Sequence, residues 1–200
     1  PPLFIWDPRA PRPGTRNNAL VQMIDMPATL LEFFDLPLPK DMLGVPLRDT
    51  LANDTSTREA AIFGMHGGHL NITDGRYVYM RAPTHAENGP LFEYTLVPNH
   101  MRNRFAVEEL QHIELAEPFS FTKGCRVMKI EGRSWASAHQ FGTLLFDLQS
   151  DPEQRQPIQD PAVEARLIRL LVQLLQQNDA PAEQYIRLGL EAYIQTEVVV

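Results

Sequence analysis

Between Asp160 and Asn178 the chain carries its clearest periodic signal, and that stretch restricts what the rest can be. Val163, Leu167, Leu170, Leu171 and Leu174 recur at helical spacing, so one face of a helix is apolar and must be covered. Asp160 provides an N-cap acceptor, Pro161 suits the first helical position, and Asn178 with Pro181 stops the run. The segments available to cover such a face are strand-like: Ala61 to Met65, Arg76 to Arg81, Arg126 to Ile130 and Thr143 to Leu148. Three of them alternate with a period of two, placing Tyr77/Tyr79, Met128/Ile130 and Leu144/Phe146/Leu148 each on one face. The expected fold class is therefore α+β, a small four-stranded antiparallel sheet packed by a C-terminal helix. A last short helix is expected over Glu183 to Leu188, with Gly189 as its terminator.

The first 50 residues have a different character. Leu3 to Trp6 is a short apolar run stopped by Asp7-Pro8 and reads as a buried strand whose sheet is missing. Leu20 to Ile24 reads as another strand. Asp25 is expected to cap a helix that tolerates Pro27 in its first turn and runs to about Leu36, where Pro37 and Pro39 end it. Leu30, Leu31, Phe33 and Phe34 make that helix apolar around most of its circumference, which suits packing between layers. Residues 1–50 thus read as strand and helix pieces from the edge of a larger α/β domain. Residues 51–200 read as a C-terminal subdomain with the sheet, an insertion over about 83–123 and the closing helices. Lys40 to Glu59 is a polar connection between them, and the insertion holds one short helix near Val107 to His112. The opening, Pro1 to Asp7, starts inside a strand pattern without a methionine, so the chain is expected to be part of something longer.

Eighteen basic against 25 acidic side chains give a net charge of -7, and no run of Lys or Arg forms the stripe that phosphate backbones require. Nucleic acid is not an expected partner. No apolar stretch approaches the roughly 20 residues of a membrane helix. One cysteine, Cys125, excludes an intrachain disulfide and is expected to be a small buried hydrophobe. The compartment is left open.

His66-Gly67-Gly68-His69 is the most chemical stretch, since two imidazoles flank glycines that let backbone approach a ligand closely. It has three readings: a metal pair, a substrate-facing polar loop and a plain turn. The missing third ligand and the glycines weigh against metal, and the substrate-facing loop is favoured over the turn. His100, in the turn-rich Tyr94 to Arg102 stretch, is the third candidate for substrate contact. His85, His112 and His139 are scattered. Asp147, Asp151 and Glu153 lack the spacing of a calcium loop and read as turn and cap residues. No nucleophile elbow or phosphate-cradling glycine loop occurs.

Several separated segments have a common likeness. They are Pro2-Leu3-Phe4-Ile5-Trp6, Leu20 to Leu31 with its Asp25-Met26-Pro27-Ala28-Thr29-Leu30-Leu31 core, and Asp35-Leu36-Pro37 with Leu43-Gly44-Val45-Pro46-Leu47. Thr73-Asp74-Gly75-Arg76-Tyr77-Val78-Tyr79 and Leu145-Phe146-Asp147-Leu148-Gln149-Ser150-Asp151-Pro152-Glu153 complete the set. In order and spacing they resemble the C-terminal half of sulfatases, the arylsulfatase-like branch of the alkaline phosphatase superfamily. The likeness spans nearly the whole chain.

That resemblance implies a sulfuric ester hydrolase as parent, acting on a sulfated small molecule or sugar. It also implies that a formylglycine nucleophile and calcium belong to an N-terminal part. The family's nucleophile motif has a Pro two residues after its Cys or Ser, and Cys125-Arg126-Val127 does not match it. No catalytic residue, metal ligand or cofactor is therefore expected in this chain, which alone should be inactive. Its expected role is to close a wall of the substrate pocket, with His66, His69 and His100 as selectivity residues. A phosphonate or phosphate ester hydrolase of the same superfamily is the near alternative. A stand-alone binding or oligomerisation module is the distant one. The apolar surface of Leu3 to Phe34 predicts self-association.

Overall fold

The computed structural model of the protein describes residues 3–12, 14–100, 102–134 and 138–194. Pro1 and Pro2 of the opening run and Met101 beside His100 lie outside the described residues. The chain divides into two compact units, Pro1–Ala61 with Thr73–Arg76, and Ile62–Ile72 with Tyr77–Val200. The fold is mixed α+β, with one four-stranded and one three-stranded antiparallel sheet and a C-terminal helix packed on the sheet. No helix among the described residues is long and apolar enough to cross a membrane.

In the first unit, α1 (Asp25–Phe33) and α2 (Arg48–Asn53) are joined by an irregular segment. Leu3 to Trp6 is not a strand but extended coil, with Phe4 92% and Trp6 85% exposed, and Leu20 to Ile24 is likewise a coil leading into a turn. An apolar run becomes a strand only where another strand takes its backbone groups, and among the described residues none pairs with either segment. Helix α1 stops at Phe33, short of Leu36, because Asp35 enters the left-handed region at φ +56°. The Leu36 N–H then bonds back to Leu31 O at 2.8 Å, satisfying a terminal carbonyl. The polar connection of residues 40–59 contains the α2 helix rather than being wholly irregular.

In the second unit, β1 (Ala61–Gly64), β2 (Leu70–Thr73), β3 (Tyr77–Arg81) and β7 (Leu144–Asp147) form one sheet in the order β1-β2-β3-β7. Strands β4 (Phe92–Thr95), β5 (Glu114–Ala116) and β6 (Val127–Glu131) form the other in the order β4-β6-β5. The four-strand expectation therefore holds in number but not in membership. The Arg126 to Ile130 strand left it for the second sheet, pairing Phe92 with Glu131 and Leu115 with Met128. Leu70–Thr73, unannounced by its pattern, took its place. Two strands of the second sheet lie within the segment read as an insertion, and its expected short helix is reduced to a single 3-10 turn at Glu108–Leu110.

The strict alternation expected of Leu144/Phe146/Leu148 also gives way. Leu145 and Phe146 are both buried, as are Val78 and Tyr79 opposite them. Successive strand residues point to opposite faces, so this part of the sheet is covered on both sides. Helix α3 (Pro161–Gln177) begins as expected: the Asp160 carboxylate accepts the Ala162 and Val163 N–H groups, both at 3.1 Å. It buries Leu167, Ile168, Leu171, Val172 and Leu175, a slightly rotated stripe that leaves Leu170 and Leu174 half-buried. Helix α4 (Ala182–Leu188) ends in Gly189 at φ +60°, and α5 (Glu191–Ile194) follows. Cys125 is exposed, not buried, because it follows the left-handed Lys123-Gly124 turn that leads into β6.

Candidate functional site

His66-Gly67-Gly68-His69 is the turn between β1 and β2. Gly68 N–H bonds to Met65 O at 2.9 Å, and Gly67 takes φ +70°. A side chain at Gly67 would also strike Ser134, at 2.8 Å from its Cβ, so both the backbone angle and the space demand glycine. The turn is fastened from three directions. Gly67 O accepts from Asn88 Nδ2 at 2.6 Å and from Ser134 Oγ at 3.1 Å, and Gly68 O accepts from Arg187 Nη1 at 3.2 Å.

The two histidines line one open cleft of about 340 Å³, together with Phe63, Met65, Gln184 and Arg187. The His66 ring is accessible from the cleft but lies against Gly132, where even a methyl group would come within 2.8 Å of Nε2. That desolvation holds its imidazole below the ordinary histidine value; the Arg187 charge adds to the effect and Glu93 opposes it. His69 Nε2 lies 2.9 Å from Gly142 O, so this nitrogen carries the proton that is donated. His100 does not line the cleft. Its Nε2 sits 3.1 Å from Glu109 Oε1 and its Nδ1 3.4 Å from Glu93 Oε2, with the ring packed on Phe105.

Arg187 is the residue that sequence reasoning missed. It is 4% exposed, on α4. Its Nη1 donates to Asn88 Oδ1 at 2.9 Å as well as to Gly68 O, while Nε and Nη2 both donate to Gln184 Oε1 at 3.1 Å. All these acceptors are neutral, and among the described residues no carboxylate pairs with the guanidinium. Burial alone pushes it below the usual arginine range. The partners that bury it lie 119 and 99 residues away in sequence, so no local pattern could have announced it.

A second cavity of about 420 Å³ lies elsewhere in this unit, bordered by Tyr94, Phe119, Phe121, Asn178 and Asp179. Phe119 stacks on Phe121 and meets Tyr94 edge-on. Burial, and then Glu183, which accepts from Tyr94 Oη at 3.1 Å, hold the phenol well above its ordinary value. Asp147 and Asp151 serve turns, taking the N–H groups of Gln149 and Gln156. Among the described residues no three His, Cys, Asp or Glu side chains gather as metal ligands.

No protein-family model matches the chain, and no curated protein matches it. Among solved structures, it is similar to a sulfatase of the core genetic locus with which Bacteroides thetaiotaomicron metabolises multiple glycosaminoglycans. The TM-score is 0.43 at 19% identity, over 76% of this chain and 24% of that one. The chain thus spans about a quarter of the length of that protein.

Proposed function

We propose that the chain is the C-terminal part of a sulfuric ester hydrolase, in which the His66–His69 turn forms a wall of the substrate pocket. The supporting observation is that four of the five segments chosen for their likeness to sulfatases meet in two pairs. Asp25, of the Asp-x-Pro-x-Thr segment, takes the Val45 N–H of the Leu43-Gly44-Val45-Pro46-Leu47 segment at 3.0 Å. Tyr77 and Asp147, from the last two segments, are partners across β3 and β7. A chance set of similar words has no reason to meet in this way.

In such a parent, a formylglycine and calcium held by residues outside this chain would supply the chemistry at sulfur. The residues of this chain bind and orient instead. His66 and His69 face a cleft open enough for a bulky alcohol group, and the glycines between them keep that wall low. His100 stands outside the cleft and would act on selectivity only indirectly, through the Glu93 carboxylate that acts on both it and His66.

Two measurements test this. The purified chain should turn over no aryl sulfate and fold without calcium; turnover that a chelator abolishes overturns the reading. In the intact parent, His66→Ala or His69→Ala should change selectivity among bulky sulfated substrates while sparing a small aryl sulfate. Equal loss on every substrate assigns the turn to the chemical step or to folding.

A further inference from the structure

The cleft holds a charge that the fold does not balance. Arg187 is almost wholly buried, its acceptors are two neutral amides and a backbone carbonyl, and among the described residues no acidic one lines the cleft. The chain as a whole is acidic, at -7, so this is a local positive spot on a protein of opposite sign. Leaving a guanidinium buried without a counter-charge is costly, and an anion held in the cleft would offset that cost. Four donated bonds use four of the five guanidinium N–H groups and leave one, on Nη2, and a charged N–H donor favours an anionic oxygen.

His66 and His69 stand beside it. With His69 Nε2 engaged by Gly142 O, His66 is the imidazole free to respond to an incoming anion. A bound anion would offset the unfavourable charge that Arg187 now imposes on its protonated form.

We propose that the floor of this cleft, Arg187 flanked by His66, is a binding site for a small oxyanion: the sulfate or carboxylate group of an acidic ligand. The inference deepens the reading above by naming what the cleft takes, and it rests on that reading only for calling the ligand part of a substrate.

The test is a titration of the 200-residue chain with sodium sulfate and, separately, sodium acetate, at ionic strength held constant with sodium chloride, followed by the His66 imidazole NMR signals. Saturable shifts with either anion, and a His66 titration midpoint that rises in its presence, are expected. Arg187→Gln should weaken binding by roughly tenfold or more. If neither anion moves His66 beyond chloride, or if a folded Arg187→Gln chain binds as tightly as the parent sequence, the site is refuted. Should that variant fail to fold, the His66 midpoint of the unaltered chain decides: a rise supports the site, and no change rejects it. Anion binding without any selectivity effect of His66→Ala in the intact enzyme removes the pocket-wall reading and leaves the site standing. The opposite pattern removes the site alone.

Discussion

Asp25 is fully buried, yet charged, and its surroundings explain why it is tolerated. Arg58 binds it in a two-pronged pair, both contacts 2.6 Å, and the Gln22 and Val45 N–H groups take up its remaining lone pairs. Burial pushes the carboxyl up, but Arg58 and the two backbone donors outweigh it, so its net value lies below the ordinary one. Thr29, one turn on, donates to Asp25 O and accepts from Leu47 N–H, fixing the same loop a second time. Gly44 completes the lock, since a Cβ there would lie 1.9 Å from Ile24 O. The expected cap is instead a cross-link between segments: the helix starts at Asp25 itself, after Ile24, and the carboxylate binds Arg58 and the Gln22 and Val45 N–H groups. Asp25→Ala should destabilise the first unit by about 3–5 kcal/mol, because it strands a half-buried guanidinium and two N–H groups. The folded carboxyl titrates below the unfolded one, so its contribution is complete above about pH 4 and disappears as pH falls through the folded value. Urea unfolding of the parent and variant chains at pH 7 and pH 3 checks both statements: the gap between them should shrink at pH 3.

Helices α3 and α4 differ in what holds them. α3 is specified by neighbours in sequence: a capping aspartate, a proline at its first position and an apolar stripe. Asp160→Ala should cost about 1 kcal/mol and Asp160→Asn much less, measured as the shift in urea midpoint; equal losses would mean that the charge, not the cap, matters. α4 is too short to be stable by itself and is pinned at both ends by distant groups. Near its start, Glu183 accepts from Tyr94 and pairs with Lys129 at 2.5 Å, and Lys129 also sits over the Phe92 ring. At its end, Arg81 donates to Leu188 O and Gly189 O. The three-stranded sheet thus reaches the cleft through α4, since the helix held by Tyr94 and Lys129 also carries Arg187.

At the scale of the molecule, the first unit leaves large apolar side chains uncovered: besides Phe4 and Trp6, both Met23 and Phe34 are 67% exposed. Single exposed apolar residues are ordinary, but a group of aromatic ones within about thirty residues favours association. Light scattering of the purified chain should report species larger than a monomer, reduced by the double change Phe4→Ser and Trp6→Ser. A monomer of compact radius in the unaltered chain would count against any role for this surface.

What the amino-acid sequence determined by itself is whatever acts over a few residues. Asp160-Pro161 starts α3, Gly189 ends α4, and Thr73-Asp74-Gly75 makes the β2–β3 turn through bonds from Gly75 N–H to Thr73 Oγ1 and Arg76 N–H to Asp74 Oδ1. Gly67 and Gly68 were legible as a point of close backbone approach, but Leu70–Thr73, the strand that makes this stretch a hairpin turn, was not. Partner choice was not legible. Period-two alternation says that Arg126 to Ile130 is a strand but not which sheet receives it, and an apolar run such as Leu3 to Trp6 carries no instruction that something will cover it. Arg187 was beyond reach for the same reason: its burial comes from Gly68 and Asn88, and only the folded chain brings a β-hairpin turn and a loop amide to α4.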